Sequence, residues 1–165
     1  MIPVVSVVGK SNAGKTTFLE KLIAELKARG YRVATIKHNV HDFEIDHPGK
    51  DTYRHAKAGA DTVIIATAHK MAMIKKLDKE LPIQHIVELA GAGHDLIITE
   101  GYKRGPFPKI EVSRKEVSSE LICSEDELIA LVTDHPFPID IPHFGLDDAG
   151  GLANFLEKRF LRQSR

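Results

Sequence analysis

Cysteine is almost absent from this sequence: its 165 residues hold one, Cys123, so no internal disulfide can form. That suits a reducing compartment, with Cys123 expected as a small residue in or near the core. An excess of either charge is also missing, since 23 Lys and Arg balance 23 Asp and Glu. Proteins that live on nucleic acid or anionic lipid usually carry a basic surplus, so neither partner is expected. Apolar runs stay far below the ~20 residues of a membrane span, and no basic leader precedes the first apolar segment. Repeats and low-complexity tracts are lacking too. The expectation is a cytoplasmic protein with one domain over 1–165 and one core.

What is there alternates between two periodicities. Ile2–Val8 is β-branched and apolar apart from Ser6, as in a strand covered on both faces. Phe18, Leu19, Leu22, Ile23 and Leu26 then recur at helical spacing, and Lys27, Arg29 and Gly30 supply a helix end. Arg32–Lys37 reads as a strand, 38–50 as a loop, and Asp51–Ala58 as a short helix closed by Gly59. Thr62–Thr67 reads as another buried strand and Met71–Leu77 as a weaker one. Pro82 opens a helix that Gly91 closes. Strands follow at Leu96–Thr99, Lys109–Ser113 and Leu128–Thr133. A helix runs from Asp147 or Asp148 to Arg165. This order predicts an α/β fold of three layers, a mostly parallel sheet with helices on both faces. Ligands bind such sheets at the carboxyl edge.

The segment Gly9-Lys10-Ser11-Asn12-Ala13-Gly14-Lys15-Thr16-Thr17 matches G-x-x-x-x-G-K-[ST], between a strand and a helix. It predicts a P-loop NTPase-type fold. Gly9 and Gly14 let the backbone wrap phosphate oxygens with its N–H groups inward. Lys15 reaches the β- and γ-phosphates, and the Thr16 hydroxyl would ligate Mg²⁺. Lys10 occupies a position from which a lysine of some P-loop proteins reaches a nucleotide across a dimer interface; a solvated side chain is the alternative.

A P-loop needs an acid on a neighbouring strand to hold Mg²⁺ through water. Asp95 and Glu100 bound one strand, roughly 16 Å apart, and cannot share a metal. Glu100 lies on the ligand edge and is chosen for the metal shell or for polarising water; Asp95 is expected as a cap at the far side. Asp51 is a second metal candidate, against simple helix capping. His38, His41 and His47 do not have closed zinc spacing. Guanine selection through Asn-Lys-x-Asp is missing, and the nearest analogue is Thr133-Asp134 at the end of a strand.

Several stretches together resemble the MobB-type adapters, the molybdopterin-guanine dinucleotide biosynthesis protein B family. They are Val8 through Leu22; Thr35-Ile36-Lys37-His38 with His41-Asp42-Phe43; Asp46 through Thr52; Asp95 to Lys103; and Pro108-Lys109-Ile110-Glu111-Val112. The resemblance implies a homodimer that binds GTP, hydrolyses it slowly, and assists the MobA-type guanylyltransferase joining GMP to molybdopterin. It also implies that Thr17 touches the α-phosphate, that Lys15 and Thr16 hold phosphates and Mg²⁺, and that Glu100 and Asp51 lie near the metal. Lys103, Arg104 and Lys109 are expected as a basic strip for molybdopterin phosphate or the partner. Competing readings are a small-molecule kinase, a metallochaperone GTPase using His38, His41 and His47, and a non-hydrolytic module. The kinase lacks an arginine-rich lid, since Arg54 is the one arginine between Arg32 and Arg104.

Overall fold

The computed structural model describes residues 2–38 and 41–161. Positions 39–40 of the expected loop and 162–165 of the expected last helix lie outside them. The chain divides into two compact units, one of residues 1–38 with 83–165 and one of residues 39–82.

In the first unit, the strands are β1 (Val4–Val8), β2 (Val33–Lys37), β5 (Leu96–Glu100), β6 (Lys109–Ser113), β7 (Leu128–Thr133) and β8 (His143–Phe144). They form one sheet in the order β2-β5-β1-β6-β7-β8, and every pairing is parallel. Parallel strands need crossovers, which bring helices onto both faces and explain the apolar runs. Helix α1 (Lys15–Ala28) and helix α4 (Ala149–Leu156) share one face, where Phe18, Leu22, Leu26, Leu152 and Leu156 meet Val5, Val7, Ile98, Ile110 and Val132. Helix α3 (Ile83–Gly91) packs on the opposite face, with Ile83, Ile86 and Val87 over Ile36 and Ile97. Ends form where the sequence signals placed them. Gly30 takes φ +88° beyond α1. Asp148 caps α4 through a 2.8 Å bond from the Gly151 N–H. Beyond α4 the chain widens into a π-helical turn, Glu157–Leu161.

Strand β6 carries Lys109, Glu111 and Ser113, yet all of its residues are buried. Lys109 had been expected on an exposed basic strip. Instead its ammonium donates to the Gly105 carbonyl (3.0 Å) and pairs with Glu127 (2.9 Å), which is what allows it to be buried. Glu111 accepts the Ile122 and Cys123 N–H groups at 2.8 and 3.1 Å. Burial pushes its pKa up, and those two donors oppose the shift. Cys123 is buried, and burial with the nearby Glu111 raises its thiol to about 11. This thiol stays protonated at neutral pH.

The second unit holds α2 (Asp51–Lys57), β3 (Thr62–Ala66) and β4 (Met71–Lys75). Strands β3 and β4 pair antiparallel as a separate hairpin, with Ile64 opposite Met73. β3 was expected as a buried strand, but only Val63 is buried; Ile64 and Ile65 are more than half exposed. The strand joins no larger sheet; α2 packs against it, but only Val63 is buried there.

Candidate functional site: the loop after the first strand

β1 lies between β5 and β6, so the loop that follows it opens between the carboxyl ends of two neighbours. Register places Val7 beside Glu100 on one side and Val8 beside Glu111 on the other. Gly9 takes φ +145°, and a Cβ there would stand 2.3 Å from the Val112 carbonyl oxygen. Only glycine permits that approach to β6. Asn12 (φ 63°) and Gly14 (φ 93°) are also left-handed, the turns that curl the loop around a concavity. Helix α1 starts directly after it, so its free N–H groups add a positive end.

The side chains converge on a 440 Å³ cavity lined by Ser11, Asn12, Gly14, Lys15, Thr16, Thr17, Lys37 and Glu100. Lys15 bends back over the loop, its ammonium donating to the Gly9 and Lys10 carbonyls at 2.9 Å each. Burial lowers its pKa; Glu100 opposes that shift, and Lys37 adds to it. The Thr16 hydroxyl donates to Glu100 Oε1 at 3.0 Å, and Lys37 Nζ lies 3.2 Å from the same oxygen. A hydroxyl and a carboxylate paired at the wall of an open cavity are hard oxygen donors, the set that suits Mg²⁺. With a phosphate-shaped loop beside them, the residues fit a magnesium polyphosphate.

Other expected residues take different places. Lys10 turns toward β6 and donates to Ser118 Oγ at 2.5 Å. Ala13 is buried beneath the loop. Thr133 is buried at its strand end, its hydroxyl exchanging hydrogen bonds with the backbone of His135. Asp134 accepts the Lys115 N–H at 2.8 Å, tying the loops after β6 and β7 together. That bond, followed by His135, holds its pKa below the ordinary value. Asp95 caps the far edge, accepting the Arg32 N–H at 2.7 Å. Asp51 belongs to the second unit, where its carboxylate lies 3.8 Å from Arg54. Lys103 and Arg104 are exposed. His38 stacks on Tyr102, ring centroids 4.4 Å apart. Among the described residues, no three His, Cys, Asp or Glu side chains are grouped to hold a metal.

One site residue escaped the sequence reasoning: Lys37 shares the cavity, and its signal was its position at the last residue of β2. Arg114, which has no motif signal, lies beside the loop; a methyl group on Gly14 would stand 3.2 Å from its Nη2.

A glycine-bounded anion loop between the first strand and first helix of an all-parallel sheet, with an acid on the adjacent strand end, defines a P-loop NTPase-type α/β protein. The sequence model described as "Molybdopterin guanine dinucleotide synthesis protein B" matches residues 4–134, and the chain belongs to this MobB family. It is 35% identical over 157 residues to the molybdopterin-guanine dinucleotide biosynthesis adapter protein of Haemophilus influenzae, covering 94% of this chain and 88% of that one. It is 35% identical over 169 residues to the protein of the same name from Escherichia coli, covering 99% and 97%. Among solved structures, Bacillus subtilis MobB superposes with a TM-score of 0.75 at 28% identity, covering 95% of this chain and 98% of that one. No helix among the described residues is long and apolar enough to cross a membrane.

Proposed function

We propose that this protein binds GTP with Mg²⁺ in the loop Gly9–Thr17, hydrolyses it slowly, and serves as a homodimeric cytoplasmic adapter in molybdopterin guanine dinucleotide biosynthesis. In that role it assists a MobA-type guanylyltransferase that joins GMP to molybdopterin. The observation that carries the nucleotide reading is the cavity shared by Lys15, Thr16 and Glu100. Thr16 and Glu100 would hold the metal. Magnesium would neutralise charge on the β- and γ-oxygens. Lys15 would orient the phosphates, Thr17 would touch the α-phosphate, and Glu100 would act on the metal or on water. Thr133 and Asp134 are the residues for the guanine base, and Lys103 and Arg104 remain exposed cations for molybdopterin phosphate or the enzyme. The adapter role draws support from the family and from the names of the relatives above.

The homodimer draws support from the β3–β4 hairpin, where Ile64, Ile65 and Met71 are 57%, 56% and 68% exposed. A two-stranded hairpin with apolar side chains in water is marginal alone, and a second copy offers the same surface in return.

Thermal denaturation with GTP, ATP or GDP plus Mg²⁺ tests the binding. Ligand at 100 times its Kd stabilises by about 2.7 kcal/mol. The expected result is a rise in Tm with GTP that Lys15→Ala abolishes. Unchanged GTP affinity in that variant defeats the assignment. A pull-down with GTP present tests the partner, with a guanylyltransferase expected to co-purify.

A further inference from the structure

The cavity holds two ammonium groups, and the phosphate-loop pattern accounts for one. Lys15 comes from the loop itself. Lys37 comes from the carboxyl end of β2, two strands away, in register with Glu100. Its ammonium lies 3.2 Å from Glu100 Oε1, the oxygen that also accepts the Thr16 hydroxyl at 3.0 Å. One carboxylate oxygen therefore serves both a hydroxyl and a cation.

A divalent cation held by Thr16 and Glu100 would compete with Lys37 for that oxygen and repel its ammonium, which would favour release of Lys37 from Glu100. Such a metal, held by Thr16 and Glu100, would neutralise charge on the phosphates it accompanies. A released Lys37, lining the same cavity as the loop, would find a new anion in the terminal phosphate. Nothing forces the side chain elsewhere, since it is well exposed and flexible on the open side of the cavity. Lys15, which donates to two loop carbonyls, is the loop's own cation for the β- and γ-phosphates, so Lys37 would add a second cation at the terminal one.

We infer that Lys37 reads the third phosphate: it holds Glu100 on Thr16 in the empty protein and passes to a γ-phosphate oxygen when Mg·GTP enters. This deepens the proposed nucleotide site and rests on it. With GDP there is no terminal oxygen to receive the ammonium, so Lys37 separates triphosphate from diphosphate. Its exchange depends on Mg²⁺, because without the metal nothing evicts it from Glu100.

The test is equilibrium binding of a non-hydrolysable GTP analogue and of GDP to the full chain, each with Mg²⁺ and with EDTA. Wild type, Lys37→Met, Lys37→Arg and Lys15→Ala are compared, and denaturation without ligand confirms that each is folded. Lys37→Met should weaken the triphosphate roughly ten- to a hundredfold with Mg²⁺, the range for a charge-assisted hydrogen bond. GDP should change by less than about threefold. Lys37→Arg should recover most of the loss, and in EDTA wild type and Lys37→Met should bind alike. If Lys37→Met weakens both nucleotides equally, or neither, while Lys15→Ala abolishes binding, the inference fails and the parent site stands. If wild type binds neither nucleotide, both fail.

Discussion

Replacing Gly9 by alanine asks how tightly the phosphate loop is seated against its neighbouring strand. The new Cβ would lie 2.3 Å from the Val112 carbonyl oxygen, a backbone atom held in β6 and unable to rotate away. Two costs add. The first is the overlap, which forces the end of β1 from β6 and costs about 1–3 kcal/mol. The second is the backbone conformation, φ +145°, which L-residues avoid at about 1–3 kcal/mol. Gly30 separates the two terms. It has φ +88°, and nothing lies within 4 Å of the Cβ position, so Gly30→Ala carries strain without overlap and should cost only about 1 kcal/mol. Urea and thermal denaturation of both variants without ligand read the difference directly. For a chain of this size each kcal/mol moves Tm by about 2–4 °C, so Gly9→Ala should melt well below Gly30→Ala. If Gly9→Ala proves as stable as Gly30→Ala, the close seating of the loop on β6 is wrong.

Leu26 is fully buried between α1 and the sheet, so Leu26→Ala should lower the unfolding free energy in urea by about 2–5 kcal/mol. Asp148→Ala removes the α4 cap and should cost about 1 kcal/mol, read by the same denaturation; Asp148→Asn should restore most of it. The Lys109 ammonium, then Ser124, pulls Glu127 from 4.5 down to about 2. The folded pKa is the lower one, so this stability is present above about pH 4.5 and lost as pH falls toward 2. Glu127→Gln should therefore flatten the pH dependence of Tm across that window while lowering Tm at neutral pH; an unchanged acid limb would refute the pairing.

The legible parts of this protein were those whose reasons are local in sequence. The phosphate loop was readable because glycines, lysine and hydroxyl must stand at fixed spacing between a strand and a helix. The stripe Phe18, Leu22 and Leu26 was readable because a helix repeats its buried face every three or four residues. Glu100 and Asp95 were separated correctly because strand length alone puts them at opposite edges. What failed depended on contacts between distant residues. Ile64 and Ile65 have the residue type of a covered strand, but composition does not say how much of the strand its neighbours will bury, and here it is Val63 alone. Lys109 reads as a surface charge until Glu127, 18 residues later, is seen to meet it. Arg114 lies against Gly14 only because β6 is the neighbour of β1, an adjacency that sequence order hides.

The buried polar groups of β6 bear on the site as well as on stability. Lys109 is tied to Glu127, and Glu111 to the backbone of Ile122 and Cys123, so the long connection from β6 to β7 is fastened to the strand at two points. Lys10, from the phosphate loop, is fastened to Ser118 in the same connection, and Asp134 fastens its beginning at Lys115. The bond from Lys10 spans more than a hundred residues, the others close spans within or beside this connection, and those to Lys109 and Glu111 satisfy groups buried in β6. Apolar contacts between these segments would hold them together without fixing their register. Directional bonds fix it, which is what a nest of backbone N–H groups requires if it is to meet phosphate oxygens without first reorganising. On the opposite side, at Glu100 and Lys37, the polar groups face open space and one carboxylate oxygen serves two donors. The site is thus anchored along β6 and free to exchange partners along β2 and β5, the side on which metal and terminal phosphate would arrive.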